Sequence, residues 1–345
     1  MSEPHTACET ALLSGDWERV EQDALAWARH SGSSEARDPR PHFALNVVYL
    51  IKGRFADAWK AHALCLEAES DIAQVKEWVD ALLARHHDSS LAHLIMGLFL
   101  AQSGQSEQSM QSYKQAAQLD PQSAYPHYFL AQIHERADHL EMAIKEYREA
   151  VRLAPDYVPA RTNLGVAYQE QGRLEMAIPQ YREVIKRNPN DPIAHANLAC
   201  ALAEQGKMEP AFQAYKEALR LNPKDAEVHF ALGGLYETKG RLDLAEKTYR
   251  DALNANPEFG AAYSALGWLS LRKQRMQDAQ ELFNRALKCN AEDPRAYHGI
   301  AELYAIRGKR QSAMDNYSKA IKYYRDPAIR NALMNQLFQE GQVPD

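Results

Sequence analysis

Apolar positions recur along residues 90–327 at spacings of three and four, which is the period of a helix with one buried face. These helical stretches come in pairs, and a glycine suited to a tight turn stands between the two halves of most pairs. The turn glycines are Gly104, Gly172, Gly206, Gly240 and Gly308. The pattern therefore predicts a series of helical hairpins.

The hairpins repeat with a period of 34 residues. Small residues lie four positions before and three positions after an aromatic residue of each second helix, and prolines end most units. The aromatic positions are Tyr113, Tyr147, Tyr181, Tyr215, Tyr249, Phe283 and Tyr317. A single hairpin cannot bury its own apolar face, so neighbouring hairpins must stack to complete the core.

This period, with its order of leucine-glycine, tyrosine, alanine and proline, resembles the tetratricopeptide repeat (TPR) family. The resemblance implies an all-α fold, a right-handed TPR superhelix, that is, an α-solenoid of helix-turn-helix repeats. It covers seven units, namely 90–123, 124–157, 158–191, 192–225, 226–259, 260–293 and 294–327.

The two ends of the chain depart from the repeat. Residues 1–89 are expected to form an irregular, degenerate TPR-like helical region, either continuous with the array or as a separate small domain. Within it we predict hairpins over 11–30 and 42–69, a linker over 31–41 and a helix over 71–87. After the last unit we predict a capping helix over 328–340 and a tail over 341–345.

Charge is unevenly distributed between these regions. Residues 1–89 contain 9 Lys+Arg and 15 Asp+Glu, which accounts for the whole net charge of −6. The remaining 31 basic and 31 acidic residues cancel. Four of the five tryptophans also lie in the first 89 residues. A neutral body with an acidic N-terminal region excludes a dedicated nucleic-acid-binding protein, which needs a basic surface.

Cysteine usage and hydropathy indicate a cytoplasmic protein. Cys8, Cys65, Cys200 and Cys289 are far apart and include no C-x-x-C pair, a distribution that fits a reducing compartment. The longest apolar run, residues 94–101, is too short to span a membrane. The N-terminus has no basic stretch followed by an apolar one, so we expect no secretory signal.

The motifs of common enzymes are absent from the sequence. It contains no G-x-x-x-x-G-K-[ST], no G-x-S-x-G and no H-E-x-x-H. His86, His87 and His93 form the only close group of histidines, and their spacing does not place them on one face of a metal-binding helix. We therefore predict a protein that is not an enzyme and has no catalytic residues, no cofactor and no metal.

The TPR resemblance implies that the first helices of the units line a concave groove. The residues that it assigns to a partner-binding groove combine apolar and aromatic side chains with an acidic margin. They are Leu91, Leu94, Leu98, Tyr125, Tyr128, Phe129, Gln132, Glu135, Asn163, Val166, Glu170, Asn197, Cys200, Glu204, Phe230, Glu237, Trp268 and His298. We expect such a surface to bind an extended or helical protein segment with apolar anchors and some basic residues.

The predicted function is that of a protein–protein adaptor or scaffold that assembles or regulates a complex. Two alternatives remain open at this stage. The chain is a regulatory subunit that positions substrates for a separate enzyme, or it is a self-assembling scaffold whose groove binds another copy.

Overall fold

Helices account for all regular structure in the described part of the chain. The computed structural model describes residues 4–31, 38–65 and 69–342, and these ranges contain twenty α-helices and no strand. The all-α fold predicted from the sequence is confirmed. The chain divides into two compact units, Met1–Pro189 and Asn190–Asp345, which we call unit 1 and unit 2.

Unit 1 contains eleven helices among its described residues. They are α1 (Pro4–Ser14), α2 (Trp17–Ser31), α3 (Arg40–Ile51), α4 (Phe55–Cys65), α5 (Glu69–Arg85), α6 (Ser90–Gln102), α7 (Ser106–Leu119), α8 (Ala124–Arg136), α9 (Leu140–Leu153), α10 (Val158–Glu170) and α11 (Leu174–Arg187). We call α1–α5 the head. The pairs α6–α7, α8–α9 and α10–α11 are hairpins.

Unit 2 contains four more hairpins and a terminal helix. They are α12 (Pro192–Glu204), α13 (Met208–Leu221), α14 (Ala226–Thr238), α15 (Leu242–Ala255), α16 (Gly260–Arg272), α17 (Met276–Cys289), α18 (Pro294–Ile306), α19 (Arg310–Tyr323) and α20 (Pro327–Gln342). The predicted capping helix corresponds to α20, whose Leu333 is buried against Tyr317 and Ala301. Residues 343–345 of the predicted tail lie outside the described residues.

Each hairpin is held together by close contact between its two helices. In α14, a Cβ atom built on Gly233 would lie only 2.6 Å from the ring of Tyr249 in α15. A Cβ atom built on Gly165 would lie equally close to the ring of Tyr181. Protein interiors are closely packed, so a methyl group at either glycine would collide with the aromatic ring. The missing side chain of the glycine therefore leaves the space that the aromatic ring of the same repeat fills.

The turns between paired helices use a left-handed backbone. Gly172 has φ 71°, as suits a residue without a Cβ. Asp138 and Gln274 replace the turn glycine in two units, yet they adopt φ 59° and 60°. This conformation costs a residue with a side chain roughly 1–2 kcal/mol, so the packing of the hairpins outweighs the local preference at these two positions.

Aromatic packing organises the core of the head. Trp78 of α5 makes edge contacts with Trp27 of α2 and Phe43 of α3, with ring centroids 5.8 and 6.3 Å apart. The Trp78 indole also donates a hydrogen bond to Glu9 of α1. Four helices that share no strict period are thereby joined through one side chain.

The predicted linker over 31–41 is only partly covered by the structure. Ser31 is the last residue of α2, and α3 begins at Arg40. Pro41 lies in the first turn of α3, where its missing N–H has no helical partner to lose. Residues 32–37 of this linker, and residues 66–68 of the predicted second hairpin, lie outside the described residues.

Candidate protein-binding surfaces

The head packs against the first helices of the hairpins in unit 1. Trp17 of α2 donates a 3.1 Å hydrogen bond from Nε1 to the Tyr125 hydroxyl of α8, and the two rings meet edge to face. Gly53, in the turn between α3 and α4, lies against the ring of Pro159 at the start of α10. The predicted groove is therefore occupied at Tyr125 by the chain itself, and the head also covers Pro159 on the next first helix.

Apolar residues assigned to this groove are buried. Leu94 and Leu98 of α6, and Tyr128 and Phe129 of α8, are at most 4% exposed. Phe129 stacks on Tyr113 with centroids 5.6 Å apart. Their side chains belong to the core of unit 1 and offer little surface to a partner. The remaining apolar members are half-buried, namely Leu91, which lies beside Gly15, and Val166.

Polar residues of the same surface bind to each other. The Tyr147 hydroxyl donates to Glu135 at 2.9 Å and accepts from Asn163 at 3.2 Å. Gln132 donates to the Tyr128 hydroxyl at 3.0 Å. Burial raises the pKa of Glu135 above its ordinary value, against the opposing effect of the Tyr147 hydrogen bond. Glu170, by contrast, is exposed.

In unit 2, α12 carries a continuous face of residues at helical spacing. Ile193, Asn197, Cys200 and Glu204 follow each other at intervals of four, three and four, so they lie on one side of the helix. Ile193 is 63% exposed. The Asn197 side chain makes no hydrogen bond with any described residue, whereas the Cys200 thiol donates to Glu204 at 3.3 Å.

The first helix of the next hairpin, α14, extends this surface with an aromatic and two acidic side chains. Phe230 is half-buried against Tyr249 and Phe259. Glu227 is exposed at the start of the helix, and Glu237 near its end accepts from the Tyr249 hydroxyl at 2.9 Å. A second bond to Glu237 comes from Arg272 of α16, at 3.0 Å.

The two remaining predicted residues are engaged within unit 2. The Trp268 indole donates to the carbonyl of Arg295 at 3.1 Å, and its ring contacts His298 at 4.8 Å. Nε2 of His298 lies 3.4 Å from Glu302. These contacts join α16 to α18, so both side chains support the packing of successive hairpins.

Several basic residues of the second helices are paired with acids on the same helix. Arg152 bonds to Glu149 at 2.6 Å, and Arg220 bonds to Glu217 at 2.7 Å. Each pair is exposed and three residues apart on one helix, where such pairs contribute only tenths of a kcal/mol. At these two positions the charges of the solvated face are neutralised locally.

Sequence reasoning missed three exposed side chains. Ile193 occupies the second position of its unit, a position that the repeat pattern already assigns to the groove. Phe55 and Trp59 lie one turn apart on α4, and this spacing is their only signal in the sequence. Their exposure depends on how the head packs, which has no periodic signature.

Among the described residues, no three His, Cys, Asp or Glu side chains come together in a way that suits a metal ion. No helix in the described ranges combines the length and the apolar character needed to cross a bilayer.

The stacked helical hairpins define a tetratricopeptide-repeat protein. Residues 97–138 and 139–172 match the model of the TPR repeat, and residues 156–345 match the model of the cilia and flagella-associated protein 70 C-terminal domain. Because the second match covers more than half of the chain, the protein belongs to the family of the cilia and flagella-associated protein 70 C-terminal domain. No curated protein matches the sequence.

Solved structures support the same fold. A tetratricopeptide repeat protein from Parabacteroides merdae aligns with TM-score 0.62 and 16% identity over 72% of this chain and 98% of its own. Yeast Tom70 aligns with TM-score 0.56 and 12% identity over 98% and 88%. The APC/C hetero-tetramer Cut9-Hcn1 gives 0.56 and 16% over 82% and 59%. The predicted TPR fold is confirmed.

Proposed function

We propose that the protein is a non-catalytic adaptor that binds a segment of a partner protein on the first helices of unit 2. The observation that carries the proposal is the face of α12, where a largely exposed Ile193 lies one turn from Asn197, whose side chain has no hydrogen-bond partner in the part of the chain that the structure describes. The exposed Ile193 side chain offers a contact to an apolar anchor of the partner. The Asn197 amide offers a donor and an acceptor to the backbone of an extended segment.

Charge gives the partner a definite chemistry. Glu204 and Glu227 are exposed on this surface, on α12 and α14. Glu237 is nearby but is already paired with Arg272. A segment with an apolar side chain and neighbouring Lys or Arg residues complements this arrangement, and the acidic side chains would raise its rate of association.

A charge-introducing variant tests this proposal. Ile193→Lys removes the apolar anchor and opposes a basic segment, and Leu244→Lys is its matched control on α15. Ile193 and Leu244 are both exposed residues in the first turn of a helix, so the two variants should fold equally well. We expect the intact chain and Leu244→Lys to capture the same proteins from a native lysate. We expect Ile193→Lys to capture none of them.

The same experiment separates other outcomes. Partners captured equally by all three baits would place recognition elsewhere and overturn the proposal. An enzyme among the partners whose activity changes when the chain is added would favour the regulatory-subunit alternative. Loss of all capture with both lysine variants would point to misfolding, which circular dichroism must exclude beforehand.

We further propose a cytoplasmic location, with a role in the complexes of a cilium or flagellum. None of the four cysteines forms a disulfide within the described residues, as suits a reducing compartment. The family description names a protein associated with cilia and flagella. A fluorescently tagged chain expressed in ciliated cells should concentrate along the organelle, and exclusion from it would contradict this role.

A further inference from the structure

A cavity of about 390 Å³ lies between the head and the first two hairpins of unit 1. Helices α3 and α4 of the head line one side of it, and α6, α7 and α8 line the rest. Its lining includes Phe55, Trp59, Leu98, Phe129, Gln132 and Arg136. The volume falls within the range of pockets that hold a ligand, roughly 300–1,000 Å³.

The head contributes two exposed aromatic rings to this cavity. Trp59 is 74% exposed and Phe55 is 48% exposed, although Trp27 and Trp78 of the same head are buried. Phe55 and Trp59 lie four residues apart, on one face of α4. Tryptophan is enriched among the side chains that dominate binding energy at interfaces, so a ring left in water beside an apolar cavity marks a binding surface.

The aromatic wall is fixed in place before any partner arrives. Asn46 of α3 donates to the carbonyl of Ala58 in α4 at 2.8 Å, and its own carbonyl accepts from Gln102 of α6. Nδ1 of His62 lies 3.1 Å from the Gln102 side-chain oxygen. These bonds join the α3–α4 hairpin to α6, and a preformed wall loses little entropy on binding.

Arg136 gives the cavity its charge. It is the last residue of α8, it is exposed, and it forms no hydrogen bond or ion pair with another described residue. No Asp, Glu or Lys lines the cavity with it. Its neighbour Glu135 is engaged by Tyr147 instead. An unpaired guanidinium at the edge of an apolar pocket complements a carboxylate.

We propose that this cavity binds a protein segment with one large apolar side chain and an Asp or Glu close to it in sequence. The apolar side chain packs beside the exposed rings of Phe55 and Trp59, while the carboxylate pairs with Arg136. This second docking site lies wholly in unit 1 and prefers an acidic segment. It is therefore independent of the α12 surface, which prefers a basic one.

A random peptide library displayed on phage provides the probe. The library is first depleted on the double variant Trp59→Ala/Arg136→Glu and then selected on the intact chain. We expect this selection to enrich peptides in which an aromatic residue or leucine lies within a few positions of Asp or Glu. A synthetic peptide of the enriched sequence is then measured by fluorescence polarisation, together with a version in which the acid is replaced by lysine.

Single variants assign the two parts of the site. Trp59→Ala should lower the affinity for the acidic peptide about tenfold or more. Met142→Ala, which removes an exposed apolar side chain from α9, should leave this affinity unchanged. Arg136→Glu should reverse the preference so that the lysine version binds better. Arg182→Glu, at an exposed arginine of α11, should leave the preference unchanged.

Two results would overturn the proposal. The first is that no acidic peptide is enriched, or that enriched peptides bind Trp59→Ala and Arg136→Glu as tightly as the intact chain. The second is a mass that rises with protein concentration in the intact chain but not in Trp59→Ala, which would make a second copy the occupant. Binding at α12 is measured separately with Ile193→Lys, so failure of one site is distinguishable from failure of the other.

Discussion

The indole nitrogen of Trp17 lies 3.1 Å from the hydroxyl oxygen of Tyr125, and this bond ties the head to helix α8 across 108 residues of sequence. Tyr125 is a residue that the repeat pattern assigns to a partner-binding groove. In unit 1, the N-terminal helices of the chain itself lie against this residue. On α12 of unit 2, the same side of the helix carries Ile193, which is 63% exposed, and Asn197, whose side chain has no hydrogen-bond partner among the described residues.

Trp17→Ala should loosen the head from the hairpins of unit 1. The substitution removes the hydrogen bond to Tyr125 and a half-buried ring, so we expect the free energy of unfolding to fall by about 2 kcal/mol. Trp17→Phe keeps the ring contact and should lose only about 1 kcal/mol. Urea denaturation measures both values.

Amide hydrogen exchange shows where the effect of Trp17 lies. In Trp17→Ala, exchange should accelerate in α1, α2 and α8 while α14–α17 keep their protection. Uniform acceleration across both units would contradict a local role for the Trp17–Tyr125 contact.

Two adjacent glycines of α14 should respond to alanine in opposite directions. A Cβ at Gly233 would lie 2.6 Å from the Tyr249 ring, so Gly233→Ala should destabilise the protein by about 1–3 kcal/mol. A Cβ at Gly234 would lie 3.7 Å from the Tyr249 hydroxyl, an ordinary contact. Gly234→Ala should stabilise the helix by about 0.5–1 kcal/mol. Thermal unfolding of the pair checks the signs, and equal effects would refute this packing.

Glu246 of α15 should make unit 2 sensitive to acid. Burial acts to raise the pKa of Glu246, but hydrogen bonds from Lys273, Arg250 and Arg275 outweigh it and lower the pKa to about 2. Because the folded-state value lies below the ordinary 4.5, the stabilisation is complete above pH 4.5 and is lost as the pH falls toward 2.

Glu246→Gln tests this dependence. We expect it to lower the free energy of unfolding by about 1 kcal/mol at pH 7, since Arg250 is exposed and Lys273 and Arg275 are only half-buried, so that water screens the three pairs. The difference from the intact chain should shrink between pH 4.5 and 2. A difference that is constant over this interval would show that the carboxylate charge contributes nothing.

Glu135 and Glu237 accept from the equivalent tyrosine hydroxyls of two repeats, yet they should respond differently to amidation. Burial raises the pKa of Glu135, so its charge is unfavourable in the folded protein at neutral pH. Glu135→Gln is expected to be neutral or stabilising by up to about 1 kcal/mol. Glu237→Gln loses the ion pair with Arg272 and should be slightly destabilising. Parallel denaturation curves at pH 7 decide the order.

The sequence alone determined the repeat architecture of this protein. The column of aromatic residues from Tyr113 to Tyr317 and the small residues around it predict hairpins with a 34-residue period, and α6–α19 form seven such pairs. This was predictable because helix formation and hairpin packing depend on neighbours that are close in sequence and that recur in every unit. Even the replaced turn glycines, Asp138 and Gln274, keep the left-handed conformation of the repeat.

Only the tertiary structure decided which surfaces remain available. The sequence pattern assigns Tyr128 and Phe129 to a groove, but both side chains are buried. Trp59 has no place in the repeat pattern, but its ring is exposed beside a cavity. The head has no period from which its docking on α6, α8 and α10 follows, and the contact between Trp17 and Tyr125 joins residues 108 positions apart. Exposure is a property of the whole packed unit, so the pattern within one repeat specifies the helices but not what covers them.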